Sequence, residues 1–168
     1  MRRLSILKTI TYIMFRLALV AIVFTPAIVF MTIMMPKDVP FKFSNKLLEN
    51  SSFWEQAISY VMVYIGFAFQ VYALYLFDKT LDLFKKRIIF DDKVIRNFDQ
   101  MGKAIVIGYF IMYIPFLFLA LTNSPIEINL QFMFNDSLLI LGLGFFFMVL
   151  SEVFQKAKNI KEENELTV

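Results

Sequence analysis

Four long apolar stretches, each almost free of charged residues, dominate this chain of 168 residues. Hydrophobic residues make up 59% of the chain, well above the roughly 45 to 50% that is usual for soluble globular domains. A stretch of about 20 apolar residues is long enough to cross a bilayer as a helix. The sequence therefore predicts one membrane domain over residues 1–168, an all-α polytopic membrane protein with four transmembrane helices.

The predicted spans cover residues 13–35, 56–77, 104–126 and 137–154. The first follows a basic start without acids, and its uncharged run of nineteen residues is longer than the apolar part of a usual signal peptide. This length favours a retained helix. The fourth span has only fifteen uncharged residues before Glu152, which is about 22 Å of helix, so it needs Val153 and Phe154 to reach the interface.

Basic residues are distributed unequally between the two sides of this predicted domain. Fourteen of the seventeen Lys and Arg residues fall in the N-terminal segment, the loop at 78–103 and the tail at 155–168. The remaining three are Lys37, Lys42 and Lys46, which fall in the first connection on the opposite side. Since cytoplasmic loops are enriched in Lys and Arg, both termini and the 78–103 loop are predicted to face the cytoplasm from the inner membrane.

The loop at 78–103 carries the periodicity of two helices joined by a basic turn. Asp91 suits the N-cap of the second helix, and Phe90 with Ile95 has the spacing of a hydrophobic staple. Apolar residues on both sides of the turn recur three and four positions apart, so a cytoplasmic helical hairpin with two facing stripes is predicted. The stripes are Leu74, Phe77, Leu81, Phe84 and Ile88 on one helix and Val94, Phe98, Met101 and Ile105 on the other.

Both connections on the opposite side alternate apolar and polar residues with a period of two, at 39–43 and at 126–134. Such alternation predicts strands, which could pair as a ribbon on the membrane surface. The prolines of the first connection favour an irregular segment instead. The sequence leaves both interpretations open.

A few polar side chains fall within the predicted spans or at their edges. Arg16 and Glu152 lie at the cytoplasmic edge, where they could form an ion pair or extend separately to the headgroups. Gln70 is the one amide deep in a span, where a hydrogen bond to a neighbouring helix is predicted and a ligand contact is the alternative. Two pairs of small residues favour close helix packing within the bundle over dimerisation. They are Ala104 with Gly108 and Gly142 with Gly144.

The segment after the fourth span continues a helical pattern into the cytoplasm. Val153, Phe154, Ala157 and Ile160 fall three and four positions apart, so they form an apolar stripe that is predicted to pack on the hairpin. The tail acids would then lie near the basic turn and act as a latch. In the docking hypothesis a partner competes for the same surface, and the other alternative is a solvated tail that frays beyond Ile160. The candidate docking residues are Lys85, Lys86, Arg87 and Phe90 in the hairpin and Glu162, Glu163 and Glu165 in the tail.

The composition excludes most small-site chemistry. The chain has no cysteine and no histidine, which removes disulfides, Cys or His ligation of zinc or haem, and imidazole catalysis. No predicted span has an acid or base near its middle, as proton-coupled and ion-coupled carriers normally require. We therefore predict no cofactor, no metal site and no enzymatic activity. Direct nucleic-acid binding is not predicted either, because the basic residues flank apolar segments.

The tail carries a family resemblance. Its segments at 152–156 (EVFQK) and 162–168 (EENELTV) resemble the closing signature of the bacterial membrane family called domain of unknown function 2975. The hairpin agrees, since the segment at 89–91 (IFD) leads through Arg96 and Phe98 to Gly102 as it does in that family. Ala157 departs from the pattern, because the family often has Gly there. The resemblance implies a four-helix membrane protein without established activity, often found beside a small cytoplasmic helix-turn-helix DNA-binding protein.

These observations favour a non-enzymatic regulatory or accessory protein in the lipid bilayer. Its hairpin and tail would dock a cytoplasmic or membrane partner, and the resemblance makes a helix-turn-helix regulator one candidate. The alternative is a small transporter or channel, in which Gln70, Asn123 and the prolines would line a path. The sequence does not decide the ligand, the partner or the oligomeric state.

Overall fold

A computed structural model describes the backbone of residues 2–34, 52–123 and 137–166. Helix α1 covers Arg2–Met34, α2 covers Phe53–Lys85, α3 covers Asp92–Asn123 and α4 covers Ser137–Leu166. All four are long and apolar enough to cross a membrane, and the described residues contain no strand. The predicted all-α architecture with four candidate membrane spans is therefore confirmed. The two connections whose alternation predicts strands lie outside the described residues.

The helices are longer than the apolar spans predicted from the sequence. Helix α2 has 33 residues, about 50 Å, whereas the hydrocarbon core of a bilayer is about 30 Å thick. Helices α3 and α4, with 32 and 30 residues, are similar in length. Each of these three helices therefore continues beyond the bilayer core at one or both ends.

Polar caps begin the second and third helices. The Ser52 hydroxyl accepts a hydrogen bond from the Glu55 N–H at 3.4 Å, and the Glu55 carboxylate accepts one from the Ser52 N–H at 2.8 Å. This reciprocal capping box fixes the start of α2. At the start of α3 the Asp91 carboxylate accepts from the Lys93 N–H at 2.8 Å. The predicted N-cap role of Asp91 is therefore confirmed.

The turn between α2 and α3 closes with a Schellman motif. The N–H of Arg87 donates to the carbonyl of Phe84, and the N–H of Ile88 donates to the carbonyl of Leu83, both at 3.0 Å. Arg87 has a φ of 62°, the left-handed conformation that this position usually gives to glycine. A charged side chain is thus held at a position where its Cβ is sterically unfavourable.

Arg87→Gly is expected to raise the free energy of unfolding by about 0.5 to 1 kcal/mol. Relief of the left-handed strain, about 1 to 2 kcal/mol, is partly offset by the greater freedom of glycine in the unfolded chain. Thermal unfolding in detergent micelles measures the change. The control is Lys86→Gly, because Lys86 has a φ of −79° and gains nothing from the substitution. A less stable Arg87→Gly protein would contradict the strained turn.

The four helices pack in chain order, each antiparallel to the one before it, so that α3 lies between α2 and α4. Glycines allow the closest approaches. A Cβ added to Gly66 would lie 2.7 Å from the carbonyl oxygen of Gly108, and one added to Gly102 would lie 2.5 Å from that of Gly144. Gly108 and Gly144 therefore pack within the bundle as predicted. Gly142 does not, because a Cβ there meets nothing within 4 Å.

The α3 side of the predicted hairpin seam is confirmed. Val94, Phe98, Met101 and Ile105 are all buried, with at most 6% of their surface exposed. The α2 side differs from the prediction, since Ile88 is 40% exposed and the buried face is centred on Ala73, Leu76 and Thr80. Leu81 is buried as predicted. The contacting face of α2 is thus rotated relative to the purely apolar stripe.

Thr80 explains part of this rotation, because its hydroxyl satisfies its hydrogen bonds inside the seam. It donates to the carbonyl of Leu76 at 2.8 Å and accepts from the side-chain amide of Asn97 at 3.2 Å. A buried hydroxyl with both partners carries little desolvation cost. Thr80 is therefore compatible with the core. Because it is polar, a search of the sequence for an apolar stripe does not include it.

Candidate functional site

Three separate segments of the chain meet at one end of the bundle, which we call the basic end. They are the start of α1, the turn between α2 and α3, and the last part of α4. An ion pair joins Lys8 of α1 to Asp82 of α2, and another joins Lys158 of α4 to Asp92 of α3 at 2.7 Å. The hydrogen bond that the Lys158 ammonium donates to the Asp92 carboxylate raises the pKa of Lys158 above its usual value.

Phe154 fixes the last part of α4 to the hairpin. Its ring centroid lies 5.3 Å from that of Phe98, 6.0 Å from that of Phe84 and 6.1 Å from that of Phe90. These separations are typical of favourable aromatic pairs. Phe147 extends the cluster toward the bilayer through a stacked contact with Phe98 at 5.9 Å. The contact of the tail stripe with Phe84 and Phe98 is therefore confirmed at Phe154.

The rest of the tail differs from the predicted latch. Val153 and Ile160 are 53% and 59% exposed, so part of the apolar stripe is uncovered. Glu162 pairs with Lys158 at 3.5 Å, and Glu165 pairs with Lys161 at 3.6 Å, both within the tail itself. These two acids therefore do not pair with the basic turn. The ion pair between tail and hairpin has the opposite polarity, with the lysine on the tail. Glu163 is exposed on the same segment.

The turn presents both charge and apolar surface. Lys85, Lys86 and Arg87 are exposed, and none of the ion pairs among the described residues involves them. The three residues that follow are apolar and remain about 40% exposed, although this part of the chain lies beyond the apolar spans. They are Ile88 at 40%, Ile89 at 42% and Phe90 at 42%.

A groove separates this turn from the tail. It has a volume of about 600 Å³ and is lined by Phe90, Ala157, Ile160, Lys161, Asn164 and Glu165. We call its apolar residues together with the two turn isoleucines the tip surface. The tip surface comprises Ile88, Ile89, Phe90, Ala157 and Ile160. Of the residues proposed from the sequence for docking, Phe90 and Glu165 line the groove, and the three cations precede Phe90 in the turn.

The candidate polar residues near the spans lie apart from one another. The guanidinium of Arg16 lies over the ring of Tyr12 at 5.0 Å, and among the described residues no ion pair joins Arg16 to Glu152. Glu152 is exposed on α4, whereas α1 packs against α2. Gln70 donates from its side-chain amide to the carbonyl of Ile105 at 3.2 Å. This contact corresponds to the interhelical hydrogen bond predicted for Gln70.

Gln70→Leu is expected to lower the free energy of unfolding by about 0.5 to 1.5 kcal/mol, which is the usual range for an interhelical hydrogen bond in a membrane. Unfolding by SDS titration in mixed micelles measures this loss. Gln155→Leu is the control, because its amide donates to Asn159 on the exposed side of the tail and makes no other side-chain hydrogen bond among the described residues. Equal losses in the two variants would show that the Gln70 hydrogen bond does not stabilise the bundle.

Among the described residues, no group of three or more acidic side chains is placed to bind a metal ion. The polar side chains on the helices instead make contacts between neighbouring helices. Ser151 donates to the carbonyl of Ile95 at 2.8 Å, which ties α4 to α3, and Tyr72 donates to the amide oxygen of Gln100 at 3.4 Å. The candidate site is therefore the tip surface, which is formed by the turn between α2 and α3 and by the last part of α4.

A family model described as "Protein of unknown function (DUF2975)" matches residues 45–168 of the chain. The chain belongs to this family. The match includes the DUF2975 hairpin, the aromatic contacts of Phe154 and the whole tip surface, whereas α1 with Lys8 and Arg16 lies before it. No curated protein and no solved structure gives a significant match to the chain. The description of the DUF2975 family assigns no activity.

Several structural residues of this DUF2975 protein are not among those predicted above from its sequence. The capping box at Ser52 and Glu55 has a recognisable spacing that would have placed the start of α2. The ion pair of Lys8 with Asp82 has no local signal, since the residues lie 74 positions apart. Asp78, one turn before Asp82, has a carboxylate oxygen that is shielded from solvent and has no hydrogen-bond partner among the described residues. Such positions follow only from the packing of α1 on α2.

Proposed function

We propose that this DUF2975 protein is a non-enzymatic regulatory or accessory protein of the cytoplasmic membrane that docks a protein partner on its basic end. The observation that carries the proposal is the tip surface, an exposed apolar patch formed by the turn and the tail. A soluble helix-turn-helix regulator is one candidate partner, because the family resemblance implies such a neighbour. A membrane protein with a cytoplasmic segment is another.

The position of the tip surface supports docking. Eleven residues, about 16 Å of helix, separate Asp92 at the start of α3 from Lys103. Lys103 is the charged residue next to the third apolar span. This distance supports a turn that lies outside the hydrocarbon core, where lipid would not cover its apolar side chains. Contiguous exposed apolar patches outside the membrane commonly mark interaction sites. Scattered surface residues would require no partner, but here Phe90, Ala157 and Ile160 line one groove, and the exposed Ile88 and Ile89 directly precede Phe90.

The interior of the bundle supports docking over transport. Gln70, the polar side chain that a transport path would use, is engaged by the backbone of α3. The seams between α2 and α3 and between α3 and α4 close at the glycine pairs Gly66 with Gly108 and Gly102 with Gly144. The described interior thus consists of helix contacts, while the exposed features lie at the basic end.

Site-specific photo-crosslinking in cells tests the proposal. A photoreactive residue at Ile89 or Ile160, both exposed on the tip surface, is expected to give one discrete protein adduct. The matched control is Leu139, which is 76% exposed but lies in the apolar part of α4 that faces lipid. Adducts at Leu139 alone, or none at either tip position, would contradict docking at the basic end.

The orientation of the protein is a separate prediction. We propose that both termini and the turn face the cytoplasm, because fourteen of seventeen basic residues lie on that side of the predicted spans. The chain has no cysteine, so single cysteines can be added at Lys86 and at Lys42 without a background signal. In intact cells an impermeant maleimide is expected to label position 42 and not position 86. Labelling at position 86 and not at position 42 would show that the protein has the opposite orientation.

A further inference from the structure

We infer that the tip surface takes an amphipathic helix of a soluble protein whose apolar face is flanked by acidic residues. This inference rests on the proposed function and specifies the chemistry of the partner. It follows from the shape of the groove, the charge beside it and its distance from the bilayer.

The shape of the groove suits a helix. Phe90 forms one wall, and Ala157 and Ile160, one turn apart on α4, line the other. The cavity has a volume of about 600 Å³ and is open to solvent, so it has room for side chains from a second element. An amphipathic helix presents such a row at positions i, i+3 or i+4 and i+7. Ile88 and Ile89 extend the apolar surface from the wall onto the turn.

The charge beside the groove selects an acidic flank. Lys85, Lys86 and Arg87 are consecutive exposed cations, and none of them has an ion-pair partner among the described residues. Lys161 and Glu165, which also line the groove, are paired with each other, so together they contribute no net charge. Asp91, which directly follows Phe90, is an acid on this side, and its carboxylate caps α3. The three cations of the turn outnumber it, so the surface next to the apolar patch carries a net positive charge. Carboxylates on a docked helix would complement it, whereas a basic helix would be repelled.

Two other occupants fit these observations less well. An anionic membrane surface would need the turn to lie among the headgroups, but the turn begins about 16 Å of helix beyond Lys103. A second copy of the chain would bring the same basic turn to the interface if the two copies met through this patch symmetrically. In addition, Glu162 and Glu165, which could complement the turn, are already paired within their own tail.

Binding of two synthetic probes to the full chain in nanodiscs of uncharged lipid tests the inference. Both probes are 18-residue helical peptides with the same leucine stripe, flanked by glutamate in one and by lysine in the other. Fluorescence anisotropy gives the Kd. The glutamate peptide is expected to bind at least about tenfold more tightly, and its affinity is expected to fall as salt is raised. Equal affinities for the two peptides would overturn the inference.

Matched variants locate the bound peptide. The double variant Lys85→Gln with Lys86→Gln is expected to weaken binding by about 3- to 10-fold, because each exposed ion pair contributes modestly. Its control is Lys79→Gln with Lys103→Gln, which removes the same charge elsewhere on the hairpin and leaves the Kd unchanged. Ile160→Ser is expected to cost about tenfold or more if it contacts the apolar face. Leu166→Ser, an exposed apolar change in the same tail outside the groove, is its control.

The remaining outcomes are equally decisive. If vesicles rich in anionic lipid displace the peptide and bind the Ile160→Ser protein less well than the parent, the surface is a lipid site and the inference is wrong. If the chain dimerises in nanodiscs and Ile160→Ser abolishes the dimer, the occupant is a second copy and it is wrong as well. If a partner crosslinks at Ile160 but the glutamate peptide is not preferred, the inference of an acidic helix is wrong and the proposed docking function still stands. If there were neither a crosslinked partner nor a preference for the glutamate peptide, the proposed function would be overturned too.

Discussion

Gly102→Ala is expected to lower the free energy of unfolding by about 3 kcal/mol, because the added methyl group has no room between α3 and α4. The new Cβ would lie 2.5 Å from the carbonyl oxygen of Gly144 and 2.9 Å from the backbone nitrogen of Met148. A side chain can move away, but these are backbone atoms, so the two helices must separate. Equilibrium unfolding by SDS in mixed micelles measures the loss.

Gly142→Ala is the control for this experiment. Gly142 lies on α4 only two positions from Gly144, yet a Cβ there meets no atom within 4 Å. Alanine forms helices better than glycine, so this variant is expected to be as stable as the parent or up to about 1 kcal/mol more stable. Similar losses in the two variants would mean that the close approach at Gly102 does not hold α3 against α4.

Most of the fold could be predicted from the sequence because the bilayer imposes strong rules. The number and type of the spans follow from the length of the apolar runs, since a membrane accepts few other structures. The α3 face of the hairpin also follows from spacing, because Val94, Phe98 and Met101 are apolar residues at helical intervals. The cap at Asp91 is a local feature that a few neighbouring residues determine.

The face of α2 could not be predicted in the same way. Periodicity identifies which residues share a side, but Ala73 and Thr80 contribute small size and satisfied hydrogen bonds instead of apolar bulk. The glycine at position 66 acts through close backbone approach, and its role depends on Gly108 of the neighbouring helix. Such features need the register between two helices, which the spacing within one helix does not contain.

In the candidate site too, one feature was predicted from the sequence and another was not. The sequence correctly predicted that the tail stripe would contact the hairpin, and the structure shows this contact at Phe154. It predicted the wrong electrostatic partners, because charge composition alone favours the tail acids with the basic turn. In the structure Lys158 lies opposite Asp92, while Glu162 is close to Lys158 on the same helix. Ion pairs one helical turn apart form with little loss of conformational freedom, so they compete with distant partners.

Phe154→Ala is expected to release the tail from the hairpin and to lower the free energy of unfolding by about 2 to 4 kcal/mol. The ring contacts Phe84, Phe90 and Phe98, and alanine reaches none of them. Hydrogen exchange measures the release directly. The amides at 155–166 are expected to exchange at rates close to those of a free helix, and those of the turn are expected to accelerate as well.

Two controls separate the aromatic contact from other causes. Val153→Ala removes apolar surface from the neighbouring position, but Val153 is 53% exposed, so its effect should stay within about 0.5 kcal/mol. Asp92→Asn breaks the ion pair with Lys158 and leaves the rings in place, so exchange in the tail should change far less than in Phe154→Ala. If Asp92→Asn released the tail fully, the ion pair would hold the tip surface together and the aromatic contacts would be secondary. Because Phe90 and Ile160 line the groove from opposite sides, release of the tail should also abolish crosslinking at Ile89.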